Sequence, residues 1–236
     1  MRGLFASLLA CWLLAGCDGP RGDALFPLAK GHRWEYRITT AYEDPAVPAQ
    51  QESLTLRSDG ASPAPDGQAW RRTSASGMAY WLRSDDTGIF RVASRGPLDD
   101  QPRRDDPVRY VLKAPYVAGT SWEASTTPYV LQRRNEFPRE LRHLNRYRTL
   151  EMKYRIEQVG QAVRTAAGDF SGCLVVQGVA EIRLMVDELF AWREVPITTR
   201  EWYCPRVGLV RQERVEHSPT KFVLGGTVTL ELVDWE

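Results

Sequence analysis

From Trp34 onward the chain alternates. Trp34, Tyr36 and Ile38 fall on one side of an extended segment and Glu35, Arg37 and Thr39 on the other. A period of two, carried by aromatic and β-branched residues, predicts a half-buried strand. The same pattern predicts strands over 52–58, 69–74, 78–84, 88–94 and 108–113. Between them lie 59–63, 76–77 and 85–88, clusters of Gly, Asp, Ser and Pro that make hairpin turns. Residues 99–107 carry two prolines among charges and predict a solvated loop, a candidate subdomain seam. The second half resumes with Met152, Tyr154 and Ile156, a turn over 166–169, and a long strand through Val176, Ala180, Ile182, Leu184 and Val186. Strands over 196–204, 207–215 and 228–233 complete it, and Gly225-Gly226 reads as a bulge or bend. Residues 135–150 alone have helical spacing: Phe137, Leu141, Leu144 and Tyr147, with Asn135 placed to cap and Pro138 in the first turn. The prediction is a mainly β protein with one short helix. Its antiparallel sheet is curved, a half-barrel or a sandwich, with one face wet because the strands alternate.

The N-terminus has a different pattern. Met1-Arg2-Gly3 is short and positive, and residues 4–13 form an apolar run too short to span ~30 Å of hydrocarbon. It has the size and flanks of a secretory signal. Leu14-Ala15-Gly16-Cys17 resembles the lipobox of bacterial lipoprotein signal peptides. The resemblance implies cleavage after Gly16, diacylglycerol on the Cys17 thiol and acylation of the new amino terminus, an anchor worth ~0.8 kcal/mol per buried CH₂. The domain reading is therefore a signal peptide over 1–16, a lipidated tether over 17–24 and one β-rich exported domain over 25–236. Asp18 resembles an inner-membrane retention signal and tilts the choice of membrane that way. The triplet Arg21-Gly22-Asp23, so close to the lipid, reads as chance.

Cleavage leaves 220 of 236 residues, enough for a real core in a single domain. The whole chain carries 31 basic and 30 acidic side chains, so no net field steers it onto nucleic acid. Cys11 is discarded with the signal, which leaves Cys173 and Cys204 besides Cys17. In an oxidising envelope such a pair is most simply a disulfide. The alternative, free or metal-binding thiols, lacks close C-x-x-C spacing.

Candidate chemistry is sparse. His32, His143 and His217 are isolated from other ligand types, so no metal and no cofactor is expected. There is no Gly-x-Ser-x-Gly elbow and no P-loop lysine beside Gly225-Gly226. Asp85-Asp86 and Asp105-Asp106 read as solvated turns rather than paired catalytic acids. An enzyme is therefore not expected. Residues 131–155 carry eight basic against three acidic side chains. Arg133, Arg134, Arg139, Arg142, Arg146 and Arg148 form a candidate contact for an anionic surface such as lipid head groups. The plainer reading is a solvated helix face. Leu189-Phe190-Ala191-Trp192 is either an apolar hairpin tip or core, and core is favoured. Residues 27–34 and 115–122 share Pro, then Gly, then Trp three residues later; one turn type used twice explains this more simply than duplication.

Phe26-Pro27-Leu28 with Gly31, Trp34 and Tyr36, then 168–173, then Trp202-Tyr203-Cys204-Pro205-Arg206-Val207-Gly208-Leu209-Val210, resemble a loose set of bacterial envelope lipoproteins of unknown function. The resemblance implies a β-rich exported domain and brings no catalytic residues. The expectation is a non-enzymatic binding or structural module, anchored through Cys17 with its domain in the periplasm. Its partner would be an envelope protein, a glycan or anionic lipid. The alternative is a periplasmic carrier or chaperone with an apolar cavity for lipid or lipoprotein. An open apolar cavity of several hundred Å³ would favour the carrier, and a filled core would exclude it. Cys17→Ala is expected to abolish incorporation of labelled palmitate and to leave the precursor uncleaved. Undiminished label on the variant would overturn the anchor.

Overall fold

The computed structural model describes residues 22–133, 149–185, 192–220 and 222–236. One helical turn, α1 (Gly22–Leu25), precedes a run of strands. These are β1 (Arg33–Tyr42), β2 (Gln50–Ala64), β3 (Gly67–Ser74), β4 (Ala79–Asp85), β5 (Gly88–Arg95), β6 (Arg103–Lys113), β7 (Ser121–Thr126), β8 (Gln132–Arg133), β9 (Leu150–Thr165), β10 (Gly168–Met185), β11 (Trp192–Cys204), β12 (Gly208–Glu216), β13 (Val223–Leu224) and β14 (Gly226–Trp235). Twelve of them form a single sheet in the order β6-β5-β4-β3-β2-β1-β14-β12-β11-β10-β9-β7, and β13 pairs with β8 apart from it. Every pairing is antiparallel, so the mainly β antiparallel reading holds.

The sheet bends into a nearly closed barrel. Register shifts interrupt the ladders at Glu35/Tyr36, Ser58/Gly60, Trp81/Leu82, Arg91/Ala93 and Trp202/Tyr203. Each extra residue raises the local twist and curls the strand. The edge strands β6 and β7 meet at Arg109, whose Nε donates to Ser125 O at 2.9 Å. One end of the barrel is plugged by the segment following α1. Leu25, Phe26 and Leu28 are buried in the main core with Leu82, Ile89, Leu112 and Leu174. The plug is also hydrogen-bonded: Arg206 N donates to Ala24 O at 2.6 Å, Arg72 Nη2 to Pro27 O at 2.7 Å and Ser58 Oγ to Leu28 O at 2.8 Å. The Phe-Pro-Leu opening of the sequence is therefore a stopper, and part of the expected tether, Gly22 to Ala24, belongs to its helical turn.

Several expectations change. Residues 59–63 are not a turn. β2 runs through them to Ala64, past a bulge at Ser58/Gly60, and pairs with β3 as a long hairpin. β1 pairs with β2 only as far as Arg57, so Pro63 sits where its missing N–H costs no ladder bond. Residues 103–107 are not a loop: they open β6 at the sheet edge. Nor is one face of the sheet uniformly wet. β5 is buried on both sides, with Ile89 in the main core and Phe90 and Val92 in a second cluster with Trp81, Ala69 and Ala79. The helix expected over 135–150 lies outside the described residues except at its end, where Leu150 starts β9. Leu189, Phe190 and Ala191 also lie outside, and Trp192 opens β11. The repeated Pro-Gly-Trp pattern corresponds to two similar entries into strands: Gly31 and Gly119 have φ of +104° and +98°, and Trp34 and Trp122 after them are buried.

Cys173 and Cys204 are joined by a disulfide with Cα atoms 4.1 Å apart. They lie at the plugged end of the β10–β11 pair, one position beyond the Leu174–Tyr203 register pair, and pack with Trp34, Tyr36, Val207, Val210 and Leu232. The bridge closes a loop with a sequence separation of 31. In the chain-entropy account such a loop is worth roughly 3–4 kcal/mol. Replacing both cysteines by serine is expected to lower unfolding free energy by about 3 kcal/mol, read as a shift in the urea midpoint. An unchanged midpoint would remove the bridge from the stability of the fold.

Candidate functional site

Inward positions of β11 and β12 do not carry the apolar residues that alternation leads one to expect. β11 turns Ile197, Thr199, Glu201 and Tyr203 to the interior, and β12 answers with Gln212, Arg214 and Glu216. In β12 the bulge leaves Val210 as the extra residue, between Leu209 opposite Tyr203 and Arg211 opposite Trp202. Val210 joins the cluster around the disulfide, and the strand beyond it points its charges inward.

Arg214 and Glu216 form an ion pair with side chains 1% and 0% exposed, Nε to Oε1 at 2.6 Å. A pair this deep survives only if its remaining hydrogen-bonding capacity is filled. Here it is. Glu216 accepts backbone N–H groups from Tyr129, Val130 and Leu131 at 2.8–3.0 Å. Arg214 donates to Thr126 Oγ1 at 3.2 Å and Thr127 O at 2.9 Å, and its guanidinium lies 4.0 Å from the centre of the Tyr129 ring. The chain leaving β7 is thereby drawn across the barrel as a strap, opposite the plug.

Between plug and strap lies a cavity of about 570 Å³. Part of its wall is apolar, including Leu56, Leu82, Val111, Leu209 and Leu230. Three arginines also line it: Arg72, Arg91 and Arg109. No acidic side chain lines it among the described residues. Arg91 is held by Asp105 through two bonds of 2.6 and 2.9 Å. Arg72 is 7% exposed and sandwiched between Phe26 and Trp34, 4.1 Å from each ring centre. Its Nη2 donates to Pro27 O, while its Nε is buried with no partner. Burial pulls the Arg72 pKa down to about 10, opposed by Tyr36 and Tyr203, so it remains a cation at neutral pH. Arg109 spends Nε on Ser125 O, and no bond from its two Nη groups is found among the described residues. Burial works against the Arg109 charge, but Tyr154, Tyr129, Glu201 and Tyr203 outweigh it and hold the group above its ordinary range.

The phenols around the cavity are neutral donors. Tyr203 donates to Glu201 Oε2 at 2.6 Å, and burial followed by the Glu201 charge pushes its pKa well up. Tyr36 donates to Leu209 O at 2.8 Å, and burial raises it despite Arg72. Glu201 also accepts from Gln212 Nε2 at 2.8 Å. The interior can thus hold an apolar body and offer it positive charge and N–H donors.

The residues singled out in the sequence lie elsewhere. Cys17, Arg134, Arg139, Arg142, Arg146, Arg148 and His143 are outside the described residues. Arg133 sits in β8 opposite Val223. His217 contacts Glu43 at 2.6 Å and His32 lies beside Trp34. No cluster of His, Cys, Asp or Glu that could hold a metal occurs among the described residues. Asp85 ends β4 and accepts from Thr87 N and Oγ1, while Asp86 lies in the turn as expected. Asp105 is not a solvated turn residue but the partner of Arg91. Arg72, Arg109, Glu201, Arg214 and Glu216 escaped the sequence reading because charged residues in alternating strands were assigned to the wet face.

No family model matches the chain, and no curated protein matches it. Among solved structures it is similar to a candidate lipoprotein from Parabacteroides distasonis, with a TM-score of 0.41 and 16% identity over 90% of this chain and 98% of that one. It is also similar to a candidate exported protein with a YmcC-like fold from Bacteroides fragilis, with a TM-score of 0.38 and 15% identity over 89% and 98%.

Glu216→Gln would leave Arg214 charged and uncompensated in the core, a change that costs about 3–5 kcal/mol. The expected result is a lower melting temperature together with faster amide exchange at Tyr129, Val130 and Leu131. Unaltered exchange at those amides would show that the strap is held by something else.

Proposed function

We propose that this is a lipid-tethered protein of the bacterial envelope that carries a small amphiphilic molecule inside its barrel. The cavity between plug and strap is the observation that carries the reading. Its volume of about 570 Å³ falls within the ~300–1,000 Å³ of small-molecule sites, and its wall combines apolar side chains with a few placed polar groups. Of the two roles the sequence allowed, a filled core would have favoured a surface-binding module; the open interior favours the carrier. The cavity is not the purely apolar one expected, because arginines enter its wall.

The location rests on the sequence. Leu14-Ala15-Gly16-Cys17 supplies the lipid anchor, the cysteine pair suits an oxidising compartment, and Asp18 favours the inner membrane. The role is transport or presentation of a bound molecule without chemical change to it. The test is purification of the full chain from cell envelopes in copolymer-bounded lipid discs, beside Leu230→Trp, whose indole would occupy the cavity. Mass spectrometry of the extracted small molecules is expected to show a species enriched in the wild type and lost from the variant. Identical complements in two equally folded proteins would sink the carrier reading.

A further inference from the structure

Among the described residues four arginines, Arg72, Arg91, Arg109 and Arg214, face the interior of the barrel, and the fold treats them in two ways. Arg214 is matched by Glu216 and fills its remaining donors with Thr126 and Thr127. Arg91 is matched by Asp105 through both donors of its fork. Arg72 and Arg109 receive no carboxylate among the described residues, although Arg72 is as deeply buried as most of the core. Burying a charge without a counter-charge is expensive, so Arg72 needs a reason; Arg109 is half-buried, with the Glu201 carboxylate within its electrostatic reach. Both line the cavity, and so does Arg91, the third arginine of its wall.

Their geometry fits reception of an anion. Phe26 and Trp34 clamp the Arg72 guanidinium from either side at 4.1 Å, which fixes its plane and compensates part of its desolvation. With Nη2 committed to Pro27 O, Nε remains buried and without a partner. Arg109 is pinned the other way round, by Nε, and its two terminal nitrogens have no bond among the described residues. A guanidinium presents donors in a fork that matches the oxygens of a carboxylate or phosphate. Tyr203, also in the cavity wall, lies within the electrostatic reach of both arginines. The wall also has an apolar part, Leu56, Leu82, Val111, Leu209 and Leu230, beside the hydroxyls of Ser125, Thr126, Thr127 and Thr149, and that apolar part suits a hydrocarbon body.

We propose that the cavity selects amphiphiles with an anionic head, a carboxylate or phosphate monoester that the terminal nitrogens of Arg109 receive in the positive field of Arg72, while its hydrocarbon lies against the leucine-rich wall. The proposal rests on the cavity being the ligand site, the carrier reading given above. The ligand supplies a directly bonded anionic partner, which neither residue has among the described residues.

The test is isothermal titration of the full chain in phosphatidylcholine nanodiscs, with empty discs as the blank, using octyl phosphate, octanoate, octanol, octylammonium and inorganic phosphate. At least one of the two anionic amphiphiles is expected to bind about tenfold or more tightly than octanol, the scale of a hydrogen bond to a charged group. Whichever of the two is preferred identifies the head. Octylammonium and inorganic phosphate are expected not to bind measurably. Arg109→Gln should remove the preference while leaving octanol binding intact, and Arg109→Lys should restore part of it. Arg72→Gln, used only if its melting curve is cooperative, should act in the same direction. Equal affinity for octanol and both anions overturns the proposal but leaves the carrier standing. Inorganic phosphate binding as tightly as octyl phosphate overturns the amphiphile. A preference untouched by Arg109→Gln overturns the role given to that residue. No binding of any octyl compound removes both readings together.

Discussion

Glu216 does more for this fold than its place near the end of a strand suggests. Its carboxylate sits at zero exposure and draws together Arg214 from its own strand and three successive backbone amides from a segment about 86 residues away in sequence. Those amides belong to chain that has left the sheet and have no ladder to satisfy them. Buried backbone donors must find partners, and a carboxylate supplies several acceptor sites at one point. The strap can therefore cross the barrel only where Glu216 is, and Glu216 can be buried only because the strap and Arg214 meet it. Neither element is affordable alone.

The same logic runs through the interior. A barrel of this size is not filled by leucine and valine alone, and β11 and β12 bring in threonine, glutamate, tyrosine, glutamine and arginine. The apolar cluster gathers on the β9–β10–β11 side and around the plug, where Met152, Ile156, Leu174, Val176 and Ile197 are fully buried. The opposite side is polar and leaves space. Hydrogen bonds such as Tyr203–Glu201–Gln212 make that side viable by leaving few buried groups unmatched. The buried side-chain atoms that do lack a partner include Arg72 Nε and Trp122 Nε1.

Much of the architecture was legible. Alternation at Trp34, Tyr36 and Ile38, or at Met152, Tyr154 and Ile156, identified strands whose neighbours were then set by hairpin turns. Cys173 and Cys204 could be paired because, with Cys11 read as part of a signal and Cys17 as the lipid site, these two remained. The failures have definite causes. Residues 59–63 look like a turn, yet bulging at Gly60 and the loss of β1 as a neighbour let a proline stay in strand. The interior charges were hidden because alternation was read as apolar-in and polar-out, and a single extra residue at Val210 reverses which side chains of β12 are inside. Gly22 and its neighbours looked like linker because a four-residue helical turn has too little periodicity to detect. The clue that could have been used is the spacing of Arg214 and Glu216: two apart, on one face of a strand, they form a pair that only makes sense if that face is covered.

The seam of the barrel has a further consequence. A sheet that does not close by a continuous ladder keeps two edges, and an unpaired edge is a template on which another chain can add a strand. β7 is short and meets β6 at Arg109. The rest of the β6 edge opens with Arg103, Arg104, Asp105, Asp106 and Pro107. Four consecutive charges repel an incoming strand, and the proline offers it no amide. The run that looked like a solvated loop in the sequence thus guards the open margin of the sheet against strand addition.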